Sequence, residues 1–187
     1  LDTVEFAETV KAGSYSFRGC GFTEIDWITE STIKSDGTFA DNTKLKTVNI
    51  TDNKVYMFGK ETFAGCSSLE TVVLPDSITI IYAGVFKDCV SLKSINLDKC
   101  KLITLGESVF KNCRSLTKLS LESSPLNGNL TYGIINESVF EGCSSLKELI
   151  LPISVIGYGK NAFKGCTSIR SFDIPISVSS IESDAFS

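Results

Sequence analysis

The chain has no histidine among its 187 residues. That removes Ser-His and Cys-His relays and any imidazole metal site. No glycine-rich phosphate loop occurs, and no Asp-rich calcium loop of the D-x-D-x-D-G kind. No apolar stretch is long enough to insert in a membrane. There is no basic stripe and the net charge is -4, which argues against a nucleic-acid partner. Carboxylates are present, but they recur along the chain at regular intervals, as solvated faces do. The reading is a protein that is not an enzyme and takes no cofactor and no metal. A hydrophobic content of 42% is enough for a packed core.

What the chain does have is a periodic aromatic. Phe17-Cys20, Phe63-Cys66, Phe86-Cys89, Phe110-Cys113, Phe140-Cys143 and Phe163-Cys166 share one spacing. Phe39 fits with Asn42 in the cysteine's place, and Phe186 opens an eighth copy. The steps between these phenylalanines are 22, 24, 23, 24, 30, 23 and 23 residues. A period in that range predicts a solenoid.

Each unit reads A/V-F-x-G-C-x-S-L-x-x-I-x-L-P-x-S-V-x-x-I. The L-x-x-I-x-L part alternates apolar and polar residues, as a strand with one buried face does. Pro75, Pro152 and Pro175 follow that strand and end its ladder. The S-V-x-x-I part is again β-like. The A-F-x-G-C part suits a tight turn or one turn of 3₁₀ helix. Stacked coils bury what one coil cannot, so identical side chains form columns. The phenylalanines are read as one such column, and as core.

The motifs Ala162-Phe163-Lys164-Gly165-Cys166 and Leu151-Pro152-Ile153-Ser154-Val155 resemble the BspA-like leucine-rich repeat. The resemblance covers essentially the whole chain. It implies a repeat solenoid, a leucine-rich-repeat right-handed superhelix that is β-rich with short turns or 3₁₀ segments and little α-helix. It also implies an extracellular or cell-surface protein linked to adhesion. We expect one domain over residues 1–187, of about eight coils and incomplete at both ends. Leu1-Asp2-Thr3-Val4 aligns with Leu69-Glu70-Thr71-Val72, so the chain begins inside a repeat. It reads as a piece of a longer array, with end-to-end self-association as one outcome.

The seven cysteines cannot all pair within one chain. No C-x₂-C spacing suggests zinc. Stacked parallel side chains keep Cβ atoms about as far apart as Cα atoms, beyond the ~3.8 Å that disulfides favour. The column is therefore expected to hold free, buried thiols. Asn42 supports this, since a position that accepts asparagine is no obligatory bridge. Asn42 must then find backbone partners. Cys100 lies outside the column and reads as a loop or convex-side residue.

Two stretches depart from the repeat. Trp27 replaces the usual leucine in an irregular first coil, either as an inward space-filler or as a binding residue. The 30-residue step holds an inserted loop, taken as residues 122–135, marked by Pro125, Asn127-Gly128 and Gly133. The loop is either a tolerated surface excursion or a specificity element whose contacts are Leu126, Leu130 and Tyr132. Sequons stand at Asn49, Asn129 and Asn136.

The outward positions of the strand give a candidate partner surface. One row is Glu5, Asp26, Asn49, Val73, Asn96, Ser120, Ile150 and Asp173. The row beside it includes Thr71, Ser94, Lys118 and Glu148. In leucine-rich repeats generally this face is concave and meets partners. The rows vary while the inward columns stay constant. Val73 and Ile150 are candidate anchors for a protein or extracellular-matrix ligand, or ordinary exposed aliphatics. The leading function is recognition or adhesion through this face. A structural spacer or stalk is the alternative, and an intracellular scaffold a further one.

Overall fold

A computed structural model describes residues 11–25, 33–128, 133–171 and 173–187. Twelve short strands run in chain order. They are β1 (Glu24–Ile25), β2 (Thr47–Asn49), β3 (Met57–Phe58), β4 (Thr71–Val73), β5 (Ile80–Ile81) and β6 (Ser94–Ile95). Then come β7 (Thr104–Leu105), β8 (Lys118–Ser120), β9 (Ile134–Ile135), β10 (Glu148–Ile150), β11 (Gly157–Tyr158) and β12 (Ser180–Ile181). The fold is a parallel β-solenoid with essentially no helix.

Each coil has three sides. The L-x-x-I-x-L segment gives the first strand, and these strands stack as β1-β2-β4-β6 and β8-β10. Val48, Val72, Ile95, Leu119 and Leu149 point inward from them. Next comes a turn led by proline, as where the Ile78 amide donates to the Pro75 carbonyl. The S-V-x-x-I segment then gives the second strand, stacked as β3-β5-β7 and β9-β11-β12. Proline lacks the amide that would continue the first ladder, so the chain turns there.

The third side is a turn arc around each repeated phenylalanine. The residue two before the phenylalanine has φ between +55° and +69° in every copy, and the residue two after has φ between +57° and +75°. The second position is always Gly, Asp or Asn, the residues that tolerate this conformation best. These turns point three amides per coil at the next coil. Glu61, Phe63 and Gly65 N–H donate to the carbonyls of Ala83, Val85 and Lys87 at 2.9, 3.0 and 2.8 Å. Bonds from each residue to the third one on, such as Cys66 N–H to Phe63 O, close the turn itself.

The arc packs an aromatic column. From Phe17 through Phe39, Phe63, Phe86, Phe110, Phe140 and Phe163 to Phe186, neighbouring rings lie 5.1–5.8 Å apart and within 15° of parallel. Offset stacking at such distances adds to the burial of the rings themselves. The cysteines are free. Cys66, Cys89, Cys113 and Cys143 are buried, and each thiol donates to the carbonyl of the phenylalanine one coil earlier, at 3.1–3.3 Å. Asn42 does the same to Phe17 O at 2.8 Å, and it has the backbone partners its burial requires.

One expectation is refined and one corrected. Cys100 lies in the irregular connection between β6 and β7, as a loop residue does, but it is fully buried. The Leu97–Leu102 segment folds it against the preceding coil, where its thiol faces Pro75 O and Asn96 O at 3.7 and 3.6 Å. Leu126 is also fully buried. Its amide donates to Leu102 O, and its side chain extends the inward column Val55, Ile78 and Leu102. The inserted residues therefore follow Leu126, because the core at that height takes the leucine first.

Candidate partner-binding face

The first-strand face carries the proposed contacts in register. Asn49 pairs with Val73 across β2 and β4, and Ser120 pairs with Ile150 across β8 and β10. Thr71 pairs with Ser94, and Lys118 with Glu148. Val73 and Ile150 are 42% and 43% exposed, so two aliphatic side chains do reach solvent on this row. Ser94, Lys118, Glu148 and Asp173 are exposed, while Asn49, Thr71 and Ser120 are half-buried. Glu5, Asp26, Trp27, Leu130, Tyr132 and Asn129 lie outside the described residues.

Asn96 faces a neighbour more than solvent. Its Oδ1 accepts from Leu74 N–H at 2.7 Å and its Nδ2 donates to Leu74 O at 2.9 Å. The side chain thus replaces the ladder where β6 ends after Ile95. Asn136, half-buried, acts similarly on the second side, donating to Leu105 O at 2.8 Å. Its sequon amide is committed to the fold.

Lys118 Nζ and Glu148 Oε2 are 2.7 Å apart, with both side chains 63% exposed. The lysine hydrogen bond holds the Glu148 carboxyl below its usual range, and the carboxylate raises the Lys118 ammonium. Such exposed pairs set local order more than stability. Glu70 and Lys93 make the same kind of pair at 2.7 Å.

Sequence reasoning passed over the proline corner. Ile153 is 90% exposed, one residue after Pro152, and Ile176 stands exposed after Pro175. Asp76 holds that position after Pro75, so the contrast was legible in the sequence. The C-terminal coils expose Ile174 and Phe186 as well, around an open recess of about 420 Å³. Among the described residues, no cluster of His, Cys, Asp or Glu is placed to hold a metal ion, and no helix is long and apolar enough to cross a membrane.

Three crystal structures share this architecture. A leucine-rich repeat protein from Bacteroides ovatus is 27% identical, with a TM-score of 0.54 over 97% of this chain and 60% of that one. A leucine rich cell surface protein from Faecalibacterium prausnitzii is 25% identical, with a TM-score of 0.64 over 89% of this chain and 40% of that one. The T. pallidum leucine rich repeat protein is 26% identical, with a TM-score of 0.53 over 80% of this chain and 72% of that one. The chain thus spans 60% and 40% of the lengths of the first two. No curated protein matches it. The profile of the BspA type leucine-rich repeat region matches in six copies, over residues 1–59, 33–131 and 118–187. The chain belongs to the BspA-type leucine-rich repeat family.

Proposed function

We propose that this repeat module is a non-enzymatic recognition element of a cell surface or secreted protein, binding a protein or matrix partner through its first-strand face. One observation carries the reading. The inward columns stay aliphatic, as at Val48, Val72, Ile95, Leu119 and Leu149, whereas the outward row changes character through Asn49, Val73, Ser120 and Ile150 and places two exposed aliphatics on a polar face. Fixed columns hold the stack, and a varied row can encode a partner. The cell surface location leans on the family and on the Faecalibacterium relative, itself described as a cell surface protein.

Val73→Asp and Ile150→Asp test it. Both side chains are part-exposed, so each variant should fold with stability changed by about 0.5 kcal/mol. Binding to an immobilised extracellular-matrix extract should fall about tenfold or more in each, as for interface anchors. Unchanged binding in both rejects the face. The second reading, a spacer, is favoured by the arc hydrogen bonds, which run from each phenylalanine amide to the next coil without a gap from Phe17 to Phe163. It expects attachment to depend on the number of coils and on no strand-face residue.

A further inference from the structure

The chain's charge is unevenly placed. Residues 111–171 hold seven Lys or Arg and four Asp or Glu, a net +3. The remaining residues hold eleven and eighteen, a net -7. Within the basic part, Glu141 pairs with Lys111 at 2.8 Å and Glu148 with Lys118 at 2.7 Å. Two carboxylates are thereby matched, and the excess rests on the other cations. Lys147 and Arg170 are both exposed, and neither forms an ion pair with any described residue.

These two occupy one repeat position, directly after Leu146 and Ile169, so they sit on successive coils. They line a shallow open depression of about 270 Å³ together with Thr167, Ser168 and Ser171. Among the described residues it is lined by two cations and three hydroxyls, with no aromatic ring and no aliphatic side chain. Single-stranded nucleic acid is held largely by stacking on aromatic rings, and none is among the described lining residues. The apolar recess at Ile174 and Phe186 borders it through Thr167, Arg170 and Ser171, but the depression itself offers an apolar side chain no described apolar contact. Hydroxyl donors beside cations one coil apart fit a sugar chain that carries anionic groups on successive units.

We propose that the Lys147–Arg170 depression binds an acidic polysaccharide, sulfated or carboxylated, laid across the coils. The positive patch on a negative protein orients the polymer and raises its encounter rate. The Val73 and Ile150 side chains are not among its lining residues, so this site and the strand-face reading fail separately.

The full chain is assayed on dextran sulfate in low salt, with plain dextran, polyglutamate and oligothymidylate as other probes. Dextran sulfate should bind best, and binding should vanish at about 1 M salt, where the screening length is about 3 Å. A Lys147→Ser/Arg170→Ser variant should bind about tenfold more weakly or worse. A Lys44→Ser/Lys54→Ser variant removes two exposed charges elsewhere and should change binding by less than about twofold. Both should melt like the wild type. Equal losses in the two variants would reduce the effect to net charge and overturn the site. Equal or tighter binding to polyglutamate, oligothymidylate or plain dextran would overturn the ligand class. No binding to dextran sulfate in low salt would overturn the whole proposal.

Discussion

Across the 30-residue step the arc and the second sheet behave differently. The second sheet divides there, between β7 and β9, whereas the first stays paired across it through β8 and β10 and divides one coil earlier, between β6 and β8. The arc continues. Ser108, Phe110 and Asn112 amides reach Glu137, Val139 and Glu141 carbonyls at 3.0, 2.9 and 2.7 Å. The Phe110 and Phe140 rings stay 5.8 Å apart and 4° from parallel, like pairs with no insertion between them. At that break a side chain stands in for backbone, as Asn136 donates to Leu105 O, and Asn96 does the same on Leu74 where the β4–β6 ladder ends. The arc sets the stacking of coils, and the sheets follow where their lengths allow. The most repetitive part of the sequence, A-F-x-G-C, is the part that builds the arc.

The largest expected effect tests the arc through its thiols. Burial pushes Cys66 up to about 12 and raises Cys89, Cys113 and Cys143 as well. An unfolded thiol ionises near pH 8.5. Above that value the unfolded chain loses protons that the folded chain keeps, so stability falls as pH rises. Below it the contribution is complete. Each buried thiol adds a slope of about 1.4 kcal/mol per pH unit. Urea midpoints measured at about pH 8, 9 and 10 should therefore drop steeply. A Cys89→Ala/Cys113→Ala variant should remove about half of the slope that these four thiols supply. An unchanged slope would show that the arc thiols are not its source.

A smaller effect separates the arc from the sheets directly. Phe110→Ala opens a cavity in mid-column and should cost about 3–5 kcal/mol. Leu119→Ala, buried in β8 beside the break, should cost nearer 2 kcal/mol. Denaturant midpoints compare the two. A Leu119 loss equal to or larger than the Phe110 loss would reverse the ranking of arc and sheet.

The columns were legible because a 23-residue step needs no partner information. Phe63 and Cys66 recur at fixed spacing, and stacking alone explains why. The left-handed position after each phenylalanine was visible through its glycines, but the one before it was not. Tyr15, Glu61 and Ser108 all adopt φ near +57°, and none of them advertises it. The period also gave the insertion's length without its place. Leu126 looked like loop because Pro125 and Asn127-Gly128 flank it, and burial competition put it in the core. The burial of Cys100 was hidden for a similar reason, since its segment is one residue out of phase with Leu74–Ile78. Asn96 read as an outward strand residue because alternation says nothing of a side chain bent along the ladder. The Lys147–Arg170 pair was hidden by an overall negative charge, which masks a local excess.

The sharpest comparison lies within the arc, between Asn42 and the cysteines. Both donate to the phenylalanine carbonyl one coil back. Asn42 also accepts, through Oδ1, from Gly21 N–H at 2.9 Å and Phe22 N–H at 3.3 Å. The coil before it is one residue shorter after its cysteine, and that leaves those amides turned inward. Before Cys89 the corresponding amides are taken, since Ser67 donates to Gly65 O and Leu69 to Cys66 O at 2.8 and 3.0 Å. Asn42→Cys should therefore strand two amides and cost about 1–3 kcal/mol. Cys89→Asn should strand its own Oδ1 in a packed site, at about the same cost. Urea midpoints of the two single variants measure this. If Cys89→Asn is neutral while Asn42→Cys is not, the arc has room for an amide in any coil. If both are neutral, the preceding coil does not choose the column residue, and the asparagine is an accident of drift.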